Sequence, residues 1–391
     1  MDLNMNMTLF SDLSFFICLA IACIPAIIIG ALEKPLRCYG FAVSIIFVYL
    51  SMGHSLPALI FLGIFLAWEY IEAKVYLIVR QKWGRNARLY WVFLILSILP
   101  LCLNKYLPGS NAGFSVFGFL GISYMTFKSA QVIIQIYDGQ IREVGLFPYL
   151  YMDVFFPVIT SGPIDRSERF KKDMYSVPSK TEYLNQAGTG VEKILQGMVY
   201  KIVFAAVFWD LLQKYGTGKN VAGYIIYMYL YGLYLFFDFA GYSLMAVGAS
   251  YIFGIRTPDN FRRPYVALDI KDFWDRWHIS LSTWFRDFVF SRVTMDLMRT
   301  RKFKSHLVIA SIAFFINMGV MGLWHGTAVC YILYGLYHGA LLSATEIYQK
   351  KSAFYKNHRN NKAFQVLEWA VTFHLVLFGF LIFSGHLFGA A

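Results

Sequence analysis

Apolar blocks of helix length alternate with short polar and basic segments along most of the chain. These blocks are longer than the strand segments of about ten residues that mark outer-membrane barrels, and a helix needs about 20 apolar residues to cross a bilayer. The pattern therefore predicts an all-α polytopic membrane protein. The predicted apolar segments are 13–31, 38–52, 55–79, 89–104, 113–136, 147–161, 196–213, 221–239, 241–255, 307–323, 324–347 and 364–388.

Polar residues and prolines interrupt some of these segments. The segment 147–161 is short and contains Pro148 and Pro157, which favours a re-entrant segment over a full span. The segment 55–79 is interrupted at helical spacing by Glu69, Glu72 and Lys74. We expect these residues near the interfacial end of the segment. Charged residues within a membrane segment are also compatible with a transport pathway.

Asp238 stands among phenylalanines, where an unpaired carboxylate would be costly. We therefore expect it to have a hydrogen-bond partner, which the sequence does not identify.

The longest stretch without a spanning segment is 257–304, and it contains an amphipathic pattern over 269–288. Asp269 can cap a helix there, and Asp272 can pair with Arg276 one turn further on. A helix rich in tryptophan and this amphipathic is expected to lie along the membrane surface or to dip into it. His278 falls on its aromatic side, where it is either an interfacial ring at headgroup level or a functional group.

Basic residues mark the cytoplasmic loops. The residues 1–11 contain no Lys or Arg, and Lys34 and Arg37 follow the first apolar segment, so the N-terminus is predicted outside and the first loop inside. The same rule assigns the basic clusters within 80–88, 160–180 and 299–304 to the cytoplasm.

Composition agrees with a membrane protein and indicates which classes of partner it can bind. Hydrophobic residues make up 58% of the chain, against about 45–50% in soluble domains. The net charge of +12 gives the cytoplasmic face an attraction for anionic membrane lipid and acidic proteins. Nucleic acid is not expected as a partner, because the basic residues punctuate membrane segments. The five cysteines contain no CxxC pair and support neither a metal site nor a disulfide framework.

The chain shows no convincing internal repeat and no low-complexity linker, so a single integral-membrane domain over 1–391 is predicted.

The stretch 317–339 carries a histidine, His325, within an apolar run. Gly319, Gly322 and Gly326 share one helix wall, which lets another backbone or a substrate come close. A titratable ring beside such a wall suits proton transfer to or from a substrate, whereas the alternative is a buried histidine bonded to a neighbouring helix. The other histidines are weaker candidates or loop residues: His54, His306, His338, His358, His374 and His386.

Two motifs together resemble the membrane-bound O-acyltransferase (MBOAT) family: FRRPYVALDIKDFWDRWHISLSTWFRDFVF at 261–290 and GLWHG at 322–326. They match the bacterial branch shared by alginate O-acetylases and D-alanyl transferases. With SGPIDRSERF at 161–170, they look most like the D-alanyl transferases of teichoic-acid D-alanylation. The resemblance implies about eleven transmembrane helices, with re-entrant or interfacial helices, around a central tunnel.

The resemblance also implies a reaction and its participants. A D-alanyl group would arrive as a thioester on the phosphopantetheine arm of an acidic carrier protein at the cytoplasmic face. It would leave toward lipoteichoic acid, or toward an accessory acceptor protein, at the outer face of a Gram-positive cell membrane. The enzyme would bind no permanent cofactor. The matching positions are His325, expected as general base, and His278, expected to orient the acceptor or the thioester carbonyl.

Three alternatives stay open on sequence alone. A polysaccharide O-acetyltransferase of the alginate type would share both histidines. A transporter or flippase for a cell-wall precursor would move substrate without His325, and a scaffold would assemble complexes without it. Because no Ser or Cys is obviously activated, we expect direct transfer rather than an acyl-enzyme on Cys330.

Overall fold

The described residues fold into α-helices joined by turns and loops. A computed structural model describes residues 7–52, 55–106, 119, 121–216, 218 and 220–389. No β-strand occurs in these ranges, and the all-α prediction is confirmed. His54, together with 113–118 and 120 of the predicted segment 113–136, lies outside the described residues.

The structure divides into two compact units. Unit 1 comprises Met1–Gly197 and Tyr242–Pro258, and unit 2 comprises Met198–Gly241 and Asp259–Ala391. Each unit therefore takes two stretches of the chain. The single domain over 1–391 stays a prediction.

The helices of unit 1 come mainly from the N-terminal half of the chain. They are α1 (Leu13–Ala31), α2 (Arg37–Ser51), α3 (Leu56–Trp83), α4 (Ala87–Tyr106), α5 (Ile122–Asp138), α6 (Leu146–Val154), α7 (Ser167–Tyr175) and α8 (Lys180–Met198). A π-helical turn at Val199–Ala205 continues α8 into α9 (Ala206–Tyr215), which belongs to unit 2.

Unit 2 contains the first part of α10 (Val221–Ile252) and the C-terminal helices. These are α11 (Ile270–Trp274), α12 (Ile279–Phe285), α13 (Ser291–Thr300), α14 (His306–His325), α15 (Val329–Lys351), α16 (Ala353–His358) and α17 (Lys362–Phe383).

Among the described residues, seven helical segments are long and apolar enough to cross a membrane. They are Leu13–Ala31, Leu56–Trp83, Ala87–Tyr106, Lys180–Tyr215, Val221–Ile252, His306–His325 and Lys362–Phe383. The polytopic prediction is confirmed, whereas the count of about eleven spans and the central tunnel stay predictions.

Two predicted segments proved to be one helix. The sequence suggested a break between 221–239 and 241–255, but α10 runs without interruption through Gly241. A single glycine costs a helix interior only about 1 kcal/mol, which the surrounding apolar burial offsets. The segment 147–161 is short as predicted: α6 ends at Val154, and a 3₁₀ turn at Phe156–Val158 follows it.

The motif SGPIDRSERF connects α7 to a neighbouring loop of unit 1 through hydrogen bonds and ion pairs. Asp165 is almost fully buried and pairs with Arg169, whose guanidinium also bonds Asp173 at 3.0 Å. Burial raises the pKa of Asp165 to about 6, and the Arg169 charge opposes that shift. The Arg256 backbone N–H donates to Asp173 at 2.8 Å. The motif therefore holds α7 against the loop after α10.

Glu69 and Glu72 lie in the middle of α3, where both are buried. Their expected position near the interfacial end of the segment stays a prediction. The hydroxyl of Ser97 on α4 donates to Glu69 at 2.8 Å. This hydrogen bond links α3 to α4 through one carboxyl oxygen of Glu69.

Glycines bring α14 and α15 of unit 2 close together. A Cβ atom on Gly322 would lie 2.5 Å from the backbone oxygen of Tyr331 and 3.4 Å from the Cα atom of Gly335. The glycine wall predicted beside His325 thus admits a neighbouring backbone at Gly322. Gly319 differs, because a Cβ there would meet no atom within 4 Å among the described residues.

This contrast gives a stability prediction. We expect Gly322→Ala to lower the free energy of unfolding by about 1–3 kcal/mol, because the new methyl group meets a backbone oxygen that cannot rotate away. Gly319→Ala is the matched control and should leave stability unchanged or slightly raised. Thermal unfolding of the two purified variants in detergent measures the difference. Equal unfolding temperatures would show that the helices separate without cost.

Candidate active site

The predicted amphipathic helix over 269–288 is broken at its histidine. Asp269 caps α11 as expected, since its Oδ1 accepts from the backbone N–H groups of Lys271 at 2.8 Å and Asp272 at 2.9 Å. The predicted pair of Asp272 and Arg276 is also present at 2.6 Å. The single continuous helix was wrong, however, because the chain turns before α12 begins.

The turn places His278 in an unusual backbone conformation. Its φ of 45° and ψ of 52° lie in the left-handed region, which few residues other than glycine adopt. The His278 carbonyl accepts the Ser282 N–H at 2.9 Å and so starts α12. The hydrophobic spacing did not predict this break, because it indicates which face of an element is apolar and not where a helix is interrupted.

The His278 ring is buried inside unit 2. Only 5% of the residue is exposed, and the ring contacts Phe239 edge to face at 4.7 Å. Within the described residues, its Nδ1 atom has no hydrogen-bond partner. His278 lies outside the seven spanning segments, and burial together with the nearby His325 imidazole lowers its pKa to about 3. The ring is therefore neutral at physiological pH.

His325 is the last residue of α14, immediately before Gly326 ends the helix. Its half-buried ring lies among aromatic side chains, at 4.6 Å from Trp324, 4.9 Å from Phe383 and 5.9 Å from Tyr331. Aromatic side chains packed around an imidazole restrict the positions that the ring can adopt. The end of a helix also leaves one side of the ring without a following turn.

Both predicted histidines lie in unit 2. His325 influences the titration of His278, so the two imidazoles are close enough to interact electrostatically. One ring is neutral and deeply buried, while the other is partly accessible. Their catalytic roles stay predictions.

A third histidine of unit 2, His338 on α15, is also buried. It is fully buried, and its Nδ1 accepts the Trp274 indole N–H at 3.3 Å. Tyr334 lies between it and His325, with ring centroids at 4.6 Å from His338 and 6.4 Å from His325. The sequence around His338 is similar to that around His325, since GLYHG at 335–339 nearly repeats GLWHG at 322–326.

The remaining histidines have local contacts that explain them. His374 Nδ1 approaches the Ala370 carbonyl at 2.6 Å, His358 Nδ1 approaches the Phe354 carbonyl at 2.8 Å, and His386 stacks on Tyr227 at 3.8 Å. His306 begins α14.

Asp238 has the partner that its apolar surroundings required. The Lys201 ammonium donates to its Oδ1, so the predicted hydrogen bond is confirmed. The pair joins α10 to the π-helical turn before α9.

Within the described ranges, no three His, Cys, Asp or Glu side chains come together in a way that could hold a metal ion. The absence of a metal and of a permanently bound cofactor stays a prediction.

Comparison with known proteins assigns the family. The model of the MBOAT, membrane-bound O-acyltransferase family matches residues 124–384. The teichoic acid D-alanyltransferase of Bacillus subtilis strain 168 is 40% identical over 97% of this chain and 98% of its own length. That of Streptococcus thermophilus is 39% identical over 95% and 94%. A probable alginate O-acetylase of Pseudomonas syringae is 33% identical over 69% of this chain and 51% of its own length.

The chain therefore belongs to the membrane-bound O-acyltransferase family, as the sequence motifs suggested. It is an O-acyltransferase and a multi-pass membrane protein of a bacterium.

Proposed function

We propose that this enzyme transfers D-alanyl groups in the D-alanylation of teichoic acid. The observation that carries the proposal is the pair of interacting histidines at His278 and His325 in a chain similar over nearly its whole length to teichoic acid D-alanyltransferases. Similarity to the alginate O-acetylase is lower and covers about half of that protein, so acetyl transfer to a polysaccharide is the second candidate.

The proposed donor is a D-alanyl thioester on the phosphopantetheine arm of an acidic carrier protein. Arg299 lies in the last turn of α13, and Arg301, Lys302 and Lys304 follow the helix, which exposes Met295 and Met298. Exposed methionines beside positive charges suit an acidic partner with an apolar contact patch. The proposed acceptor is lipoteichoic acid, or an accessory protein that passes the group on at the outer face.

The proposed chemistry is direct acyl transfer. His325 accepts the proton of the acceptor hydroxyl as its oxygen attacks the thioester carbonyl carbon. The resulting tetrahedral intermediate collapses, the C–S bond breaks, and the proton on His325 returns to the leaving thiolate. The products are the D-alanyl ester and the free carrier thiol. His278, which is neutral, orients the acceptor oxygen or the thioester carbonyl by hydrogen bonding.

Purified enzyme in liposomes provides the test. Liposomes containing lipoteichoic acid receive either carrier protein charged with labelled D-alanine or labelled acetyl-coenzyme A. Label from the D-alanyl carrier should enter the acceptor as an ester in a time-dependent way, and the acetyl donor should give little. Preferential acetyl transfer would favour the polysaccharide acetylase. Movement of label without ester formation would favour a transporter, and neither event would favour a scaffold.

Direct transfer makes a prediction for Cys330. The residue is buried near the start of α15, on a different helix from His325. We expect Cys330→Ala to keep at least about half of the wild-type rate, because no step uses a thiol of the enzyme. The rate of D-alanyl transfer measures this, with Cys102→Ala as the control for loss of a cysteine in the other unit. A near-total loss, or a trapped D-alanyl-Cys330 species, would establish an acyl-enzyme instead.

A further inference from the structure

The segment just before the 269–288 region contains a buried side chain that holds the His278 turn. Asn260 is only 1% exposed. Its side-chain Oδ1 accepts the Ser280 backbone N–H at 3.2 Å and the Ser280 hydroxyl at 2.6 Å. Its backbone carbonyl accepts the Ile279 N–H at 2.9 Å. One residue thus accepts three hydrogen bonds from the two residues that follow the histidine.

A further bond holds the other side of the turn. The Arg262 N–H donates to the carbonyl of Arg276, two residues before His278, at 3.0 Å. His278 is therefore bracketed on both sides by hydrogen bonds to the loop that contains Asn260 and Arg262. A histidine in the left-handed region persists only where its surroundings fix that conformation, and these bonds provide the fixing.

The hydrogen bonds also begin α12. The N–H groups of Ile279 and Ser280 lie in the first turn of that helix, where they lack a partner inside the helix. Asn260 supplies both acceptors from outside the helix, so the start of α12 and the direction of the His278 ring are set together. The Nδ2 atom of Asn260 has no hydrogen-bond partner among the described residues, so its contribution to the turn comes through its oxygen atoms.

We propose that Asn260 is a positioning residue of the transferase, which fixes the left-handed turn that aims the His278 ring into the site. Ser280 is its partner in this role. The inference rests on the proposed function, because it requires His278 to act in transfer. Asn260 acts only through His278 and does not touch the reacting groups.

The inference predicts a loss that depends on His278. We expect Asn260→Ala to lower kcat by about 10- to 100-fold, since a displacement near 1 Å can cost about 100-fold. KM for the charged carrier should change less than kcat, because the basic residues proposed to dock the carrier, at 299–304, lie outside this turn. In a His278→Ala background, adding Asn260→Ala should cause no further loss, as expected for two residues that act as a unit.

Asn361 offers a matched control. Its Oδ1 also accepts two backbone N–H groups, those of Ala363 and Phe364, at the start of α17 in the same unit. Asn361→Ala removes the same kind of helix-start bond away from the histidines, and kcat should stay within about twofold of wild type. A similar fall in kcat for both variants would mean that general loss of structure explains the effect.

Ser280 tests the same turn independently, in case Asn260→Ala does not fold. Ser280→Ala deletes the 2.6 Å hydroxyl bond but keeps the backbone bond, so we expect a smaller fall in kcat of about 3- to 10-fold. Ser280→Thr keeps a hydroxyl and should restore most of the rate. Equal rates for the wild type and Ser280→Ala would overturn the role of this bond.

The double variant of Asn260→Ala and His278→Ala distinguishes a failure of the positioning role from a failure of the proposed function. If His278→Ala lowers transfer and Asn260→Ala then lowers it further by its full single-variant factor, the positioning role is wrong while the proposed function survives. If His278→Ala transfers D-alanine at the wild-type rate, the role of His278 fails and the positioning role fails with it.

Discussion

His325→Ala is expected to lower the rate of D-alanyl transfer by about 10²- to 10⁴-fold, which is the usual contribution of a general base. The acceptor hydroxyl is a weak nucleophile that must lose its proton as it attacks, whereas the thiolate leaves readily. The ring at the end of α14 is held by Trp324 and Phe383, so an alanine there removes the base without inserting bulk.

Transfer of labelled D-alanine from charged carrier to membranes measures this, with protein levels matched. Binding of the carrier should be unchanged, because the basic residues 299–304 do not depend on His325. His374→Ala is the matched control: its ring is exposed on α17 and approaches the Ala370 carbonyl one turn earlier, and transfer should stay near the wild-type rate. Transfer that persists in His325→Ala would move the chemistry elsewhere and favour the transporter or scaffold.

The long helices followed from hydrophobic spacing because each buries or exposes a continuous apolar surface. The family and its histidine pair followed from motifs, which specify residue types at fixed spacing. The break at His278 did not follow from the sequence, because the residues 278–284 continue the apolar spacing although the helix is interrupted at a left-handed residue. The hydrogen bonds that hold the turn are long-range, and those from Ser280 to Asn260 join residues 20 apart in the sequence.

Contacts between residues far apart in the sequence were also not predictable from the sequence. The apolar surroundings of Asp238 required a partner, yet Lys201 lies 37 residues away and no local pattern points to it. The glycines before His325 indicated a close approach, but whether a backbone or a substrate approaches depends on the neighbouring helix. At Gly322 the group that approaches is the backbone of α15.

His278 is expected to tolerate asparagine better than an aliphatic residue. Asparagine adopts the left-handed conformation more readily than most residues and keeps a side chain that can form hydrogen bonds. We expect His278→Asn to retain transfer within about tenfold of wild type. His278→Leu should lose about 100-fold or more, since it removes the polar group and places a bulky side chain at a φ of 45°. Transfer rates of the two variants give the comparison.

His278→Asn, compared with the wild type, also tests whether His278 is neutral. The pKa of His278 is lowered from 6.5 to about 3, so between these values the unfolded chain binds a proton that the folded protein does not. The wild type therefore loses stability from this group as the pH falls below about 6.5, and full stability is present above it. His278→Asn cannot bind that proton, so its unfolding temperature should fall less between pH 7 and pH 5. A larger fall in His278→Asn than in the wild type would mean that His278 is charged in the folded enzyme and acts as an acid or an ion partner. A smaller fall, with transfer retained, identifies a neutral hydrogen-bonding group and leaves proton transfer to His325.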